Sequence, residues 1–334
     1  MAARMRRLGL AVRTVLAPVA IRLLMVEAGN RGQASCAPIG GRRPRMKFGI
    51  RYCNTGRYTE PARAVELVQA AEAAGFESAW TVEHTVIPRG YQSAYPYASD
   101  GRLPGGEGDF VLPDPQIWMT WVAAHTTRIK LATGILILPQ HNPVICAKQV
   151  ATLDYMSGGR VLLGIGVGWL KEEFEALGVP FAERGARTEE YIEALRALWS
   201  MDVPSYEGRF VRFKDAFMRP KPVRGTVPII IGGHSKAAAR RAGRMADGFF
   251  PARGASPELL ALVRQSAEEA GRDPAAVEIT ASIPDDLETL PAMAAAGVAR
   301  VLVPVTGMGG LRRAASGVEG VLSWRDTIER YAGL

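Results

Sequence analysis

Cysteine is scarce in this 334-residue chain: Cys36, Cys53 and Cys146, an odd number at wide spacing. That excludes a disulfide framework and a paired-cysteine metal site, and suits a reducing compartment, so a cytoplasmic location is expected. Histidine is nearly as sparse, with four residues. No His, Cys, Asp and Glu group has zinc spacing, no HExxH occurs and no GxSxG elbow is present, so no metal is expected and metal-assisted or serine acyl-transfer chemistry is not indicated. No uninterrupted apolar run is long enough to span a bilayer, and no membrane partner is expected. Acidic residues are almost missing from residues 1–45, which hold nine arginines, no lysine and only Glu27. From Met46 onward 32 basic residues balance 32 acidic ones, so the overall charge of +8 belongs to that segment. In a body without net charge a basic groove for nucleic acid is not indicated.

What is present is a globular composition, 48% hydrophobic and 22% charged, sufficient for a large core. Residues 1–45 are expected to form a basic, disordered N-terminal extension, because Arg13 and Arg22 interrupt the apolar stretch that a targeting signal needs. The body then alternates. Strands are predicted at Met46–Tyr52, Ser78–Val82, Ile129–Leu136, Arg160–Ile165, Pro228–Ile231, Gly248–Phe250, Val277–Ser282 and Ala299–Val303. A helical pattern follows each, the first opening at Pro61 and stopping at Gly75, the last running over Val318–Tyr331. The strands are short, rich in Val, Ile and Leu, and not alternating, as in a parallel sheet buried on both faces. Eight such units over 46–334 predict an α/β protein of the closed (β/α)8 barrel class. An open dinucleotide fold is disfavoured, since Trp169 stands where the third glycine of a GxGxxG run beginning at Gly164 belongs.

Barrel chemistry gathers at the carboxyl ends of the strands. Glu83 and His84 end the second strand, and His84 is the candidate acid/base, with Glu83 able to orient it; a purely structural histidine is the competing reading. Successive strand residues point oppositely, so the two side chains need not touch. Thr133, Gly134 and Ile135 fall at the end of the third strand, and Gly166, Gly168 and Trp169 follow the fourth. Gly232, Gly233, His234 and Ser235 enter the helix beginning near Lys236, where free N–H groups and the helix dipole suit a phosphate; a tight turn with a serine cap is the bland alternative. Arg240 and Arg241 are expected to point outward there. The stretch 85–113 is long for a barrel loop and carries Tyr91, Tyr95 and Tyr97, which predicts a substrate lid. Trp118 and Trp121 are expected in the core.

The combination of Ala74 to Trp80, Glu83-His84, Tyr95-Pro96-Tyr97, Asn142-Pro143, Ser157 to Arg160, Gly164 to Trp169 with Lys171 to Phe174, Arg184 to Arg187, Pro220 to Pro222 and Pro228 to Ser235 resembles the luciferase-like flavin monooxygenase superfamily. Within it, these residues are most similar to the oxidoreductases that use the deazaflavin coenzyme F420. The resemblance implies a barrel with an insertion between strands four and five, supplied by 171–227, and a cofactor ring across the strand ends. It implies a phosphate near 232–235, a non-prolyl cis peptide at Gly134–Ile135 behind the ring, and an acid–histidine pair at Glu83 and His84. Glu83 replaces the aspartate of many relatives, and Trp169 replaces an acidic residue of the sugar-phosphate dehydrogenase branch, which argues against glucose-6-phosphate. Two-electron transfer between F420 and a small organic substrate is the leading expectation. An FMN-dependent monooxygenase and a non-catalytic flavin-binding protein are the alternatives, and the helix faces of such barrels are compatible with a homodimer.

Overall fold

A computed structural model describes residues 46–333, except 105–107, 252–253 and 308–313. The basic segment 1–45 lies outside the described residues. Eight strands form the frame: β1 (Lys47–Arg51), β2 (Ser78–Thr81), β3 (Lys130–Thr133), β4 (Val161–Gly166), β5 (Ile229–Gly232), β6 (Gly248–Phe250), β7 (Glu278–Ser282) and β8 (Val298–Pro304). Each pairs in parallel with its neighbours, and β1 joins both β2 and β8, so the sheet closes. The predicted eight-stranded barrel is the fold. Helices α1 (Pro61–Ala74), α2 (Pro115–Ala123), α3 (Pro143–Ser157), α4 (Lys171–Ala176), α5 (Arg184–Ser200), α6 (Lys236–Met245), α7 (Pro257–Glu269), α8 (Leu290–Ala295), α9 (Gly317–Leu322) and α10 (Arg325–Tyr331) accompany it.

Local chemistry fixes where these elements begin and stop. The Asp114, Asn142, Ser235 and Ser256 side chains each accept a backbone N–H at the first turn of α2, α3, α6 and α7. α1 opens on Pro61 and ends at Gly75, whose φ of 95° a side chain would strain. Between β4 and β5 the chain makes α4, α5 and a two-stranded hairpin (Tyr206–Glu207 with Arg212–Phe213), which accounts for the long connection. Most strand bounds shift by one residue, and two differences are larger. β3 ends at Thr133, because the chain turns through a cis peptide at Gly134–Ile135 before a two-residue strand, Leu136–Ile137, resumes beside β4. The single C-terminal helix expected over 318–331 is two, α9 and α10.

Side chains of the strands sort into layers. Trp80, Ala132, Leu162, Ile230, Phe250 and Leu302 fill the inside of the ring, separately from the larger core between strands and helices. At the amino end of the barrel the charges are matched. Arg300, fully buried, bonds both Glu77 (3.0 Å) and Glu278 (2.5 Å), while Lys130 joins Glu77 (2.8 Å) and Lys47 joins Glu278. Burial alone would raise the Glu77 carboxyl, but Arg300 and Lys130 outweigh it and hold the group down at about 2.

β4 shows how tightly the ring is closed. A methyl group added at Gly164 would collide with the Thr133 carbonyl oxygen on β3, and the Thr133 hydroxyl donates to the Gly164 carbonyl at 2.6 Å. Replacement Gly164→Ala should therefore lower the unfolding free energy by ~1–3 kcal/mol, read from urea denaturation midpoints at constant slope.

Candidate active site

Glu83 and His84 follow β2, and their side chains diverge. Glu83 turns toward the third strand, where its carboxylate accepts from the Ile137 backbone N–H (2.5 Å) and meets His141 Nε2 at 2.9 Å. His84 turns the other way. Its Nδ1 lies 3.0 Å from Oε2 of Glu173, a fully buried carboxylate on α4. The expectation that Glu83 orients His84 is therefore corrected: alternation along an extended chain sends neighbours apart, and the orienting acid comes from the insertion. Glu173 also accepts the Thr85 N–H (2.6 Å) and Val86 N–H (3.3 Å) through Oε1. A carboxylate so placed accepts Nδ1–H, which leaves Nε2 as the His84 nitrogen for proton exchange.

The second histidine pair is an electrostatic lock. Burial of His141 disfavours its charged form, yet the hydrogen bond and charge of Glu83 outweigh burial and raise its pKa above the ordinary value.

The strand-end glycines make room for protein atoms. Side chains at Gly166 and Gly232 would each strike the side chain of Ile135, which lies across both strands just after the cis peptide. Gly168, at φ 81°, sits against Phe174 and Ile137. Thr133 spends its hydroxyl on Gly164, so it offers backbone only. The result is a half-exposed apolar wall of Ile135 between β3, β4 and β5.

At the end of β5, Gly233 takes φ 134°, and its N–H donates to the Phe250 carbonyl. The Ser235 hydroxyl caps α6 by accepting from the Ala238 N–H at 3.1 Å. The bland reading of Ser235 is thus correct for its side chain, while the first backbone N–H groups of α6 carry no intrahelical bond. His234 is half-buried, and its Nδ1 is shut from solvent without a hydrogen-bond partner. Arg241, expected to point outward, is buried and bonds Glu189 at 3.1 Å; Arg240 alone of the two is exposed.

The tyrosine loop packs as a unit. Trp169 meets the rings of His84 (5.7 Å), Tyr91 (5.6 Å) and Tyr95 (5.2 Å) edge to face, and Tyr97 extends the row from Tyr95 at 5.4 Å. Tyr91 is buried and accepts the Leu103 N–H on its hydroxyl. Glu172 ties the loop to α4 by accepting the Gln92 and Ser93 N–H groups (2.7 and 3.1 Å). Desolvation opposes the Glu172 charge, but these bonds prevail and hold its carboxyl at about 2. Trp118 is core, bonded to the Tyr58 carbonyl, whereas Trp121 is exposed, against expectation.

Residues 46–306 match the family model described as luciferase-like monooxygenase. The chain belongs to that family. Its relatives include an F420-dependent glucose-6-phosphate dehydrogenase of Kineococcus radiotolerans, 30% identical over 243 residues (70% of this chain, 66% of the relative). An FMNH2-dependent dimethylsulfone monooxygenase of Pseudomonas putida is 41% identical over 131 residues (38% of this chain, 36% of the relative). Among solved structures, the coenzyme F420-dependent tetrahydromethanopterin reductase of Methanopyrus kandleri superposes with a TM-score of 0.64 at 19% identity, covering 86% of this chain and 99% of that one. This luciferase-like protein is an enzyme, an oxidoreductase by family.

Glu173 and Glu172 are the site residues that the sequence reading missed as chemistry. They stand in Lys171-Glu172-Glu173-Phe174 directly after the glycine run, and nothing in the sequence says that both reach back 80 residues or more to the loop after β2.

The His141 shift has a definite sign. With its folded pKa raised, the pair's stabilisation is complete below about pH 6.5, the unfolded value, and is lost as pH rises through the folded value. Replacement Glu83→Gln should lower the His141 midpoint in a carbon-detected NMR titration and flatten stability over that window.

Proposed function

We propose that this protein is an F420-dependent oxidoreductase acting on a small organic substrate. The observation that carries the reading is the pairing of His84 with the buried Glu173 at the barrel end where Ile135 makes an apolar wall. The residues fit a phosphorylated, flat coenzyme. Gly233 at φ 134° and the first N–H groups of α6 provide a backbone cradle for the phosphate, and the unpartnered His234 Nδ1 adjoins it. Ile135 backs the ring, with Gly134, Gly166 and Gly168 shaping the surface behind it.

When bound, a deazaflavin exchanges a hydride equivalent with carbon and does not activate oxygen. His84 would give or take the accompanying proton at Nε2, because Glu173 holds Nδ1 and fixes the ring's orientation. Trp169 and the Tyr91–Tyr95–Tyr97 row cover the mouth and exclude water. The F420-dependent relative and the Methanopyrus reductase support this coenzyme. The FMNH2-dependent relative supports a second reading, in which the same cradle takes FMN.

Fluorescence titration of the full chain with coenzyme F420, with FMN and with the deazaflavin chromophore lacking its phosphate separates them. F420 should bind at least tenfold more tightly than FMN and than the phosphate-free chromophore. Tighter FMN binding would transfer the enzyme to the second reading; binding of neither would end both. Replacement His84→Ala should lower turnover by ~10²-fold or more while F420 affinity changes little.

A further inference from the structure

β1 sends Lys47, Gly49 and Arg51 into the barrel by alternation: Lys47 reaches Glu278, Gly49 abuts Leu302 and Trp80, and Arg51 reaches Ser282 at the end of β7. The two cations of this strand meet opposite fates. Lys47, at the amino end, belongs to the matched set with Glu77, Glu278, Lys130 and Arg300. Arg51, at the carboxyl end where the site opens, has no carboxylate partner among the described residues.

Its guanidinium is half-buried and held by neutral groups. Nη1 donates to the Ser282 hydroxyl at 2.9 Å and Nη2 to the Tyr52 hydroxyl at 2.5 Å. The group lies 4.4 Å from the Tyr52 ring centroid and 6.0 Å from that of Phe250. Nε is shut from solvent and has no acceptor. Tyr52 reaches this position through a left-handed backbone, φ 66°, which is unfavourable for a side-chain-bearing residue. The two acids of the candidate site are committed elsewhere, Glu83 to His141 and Glu173 to His84. An unneutralised guanidinium whose Nη1 and Nη2 each carry a second N–H beyond the bond to a hydroxyl, braced by two aromatic rings, is a preorganised anion receptor.

We propose that Arg51 is the specificity residue of the pocket and that the substrate class is a small carboxylic acid, its carboxylate seated on the Arg51 guanidinium. This rests on the oxidoreductase reading for the identity of the site, though not for the binding itself. The remaining N–H groups of Nη1 and Nη2 donate to a carboxylate, and a neutral alcohol or amide of the same shape leaves the charge unmatched.

Calorimetric titration of the full chain with benzoate and its neutral isostere benzamide tests this, using wild type, Arg51→Met and Arg51→Lys. Wild type should prefer benzoate at least tenfold, Arg51→Met should lose that preference, and Arg51→Lys should keep part of it. A wild-type crystal soaked with benzoate should show the carboxylate on Arg51, an arm that holds even if a variant misfolds. Equal binding of the two probes by wild type, a preference undiminished in Arg51→Met, or benzoate seated elsewhere would overturn the proposal. So would an Arg51→Met chain whose F420 affinity falls tenfold with the benzoate preference intact, which would assign the guanidinium to the coenzyme. Failure of both coenzymes to bind, with the benzoate preference still dependent on Arg51, would sink the oxidoreductase reading and leave this one standing.

Discussion

One buried carboxylate ties the candidate site together. Glu173 receives His84, Thr85 and Val86 from the loop after β2 while standing on α4, the first helix of the insertion after β4. A buried charge of this kind is stable only when its acceptor positions are filled. The loop backbone and the histidine supply those bonds, so the tyrosine loop, the insertion and the imidazole are fixed by one group. Glu172, next in sequence, extends the tie further along the same loop. The acid/base candidate is therefore set by the connection between strands four and five, and the strand that carries it only delivers it to the mouth.

The glycines play a complementary part. Gly164, Gly166 and Gly232 leave space that Thr133 and Ile135 occupy, so the backbone crosses between β3 and β4 at close range and a flat side chain wall replaces a glycine floor. The charge distribution follows the same division. The amino end of the barrel is a set of ion pairs that stabilises the ring, and the carboxyl end holds charges bonded to histidines and hydroxyls.

The barrel was legible because its signals are local: apolar runs of strand length, caps such as Asn142 and Ser256, and Gly75 as a stop. His84 and the turn at 232–235 could be singled out as candidates because strand ends carry the chemistry of this fold. Partners were not. Glu83 sits beside His84 in sequence and bonds His141, whereas Glu173 lies 89 positions away and bonds His84. Arg241 was expected outside from its helical spacing, yet Glu189 draws it inward from α5. Arg51 reads as an ordinary strand cation until the closed barrel shows that its neighbours are hydroxyls and rings. Each miss concerns a contact made by tertiary closure, for which a single sequence holds no spacing rule.

The central claim is that the His84–Glu173 pair and the Ile135 wall face one coenzyme. A crystal structure of the full chain with coenzyme F420 tests it most directly. The account expects the phosphate on the backbone N–H groups that open α6, the ring against Ile135, and His84 Nε2 turned to the ring's reactive edge. A ring seated away from Ile135, or an imidazole released from Glu173 and turned from the coenzyme, would contradict it.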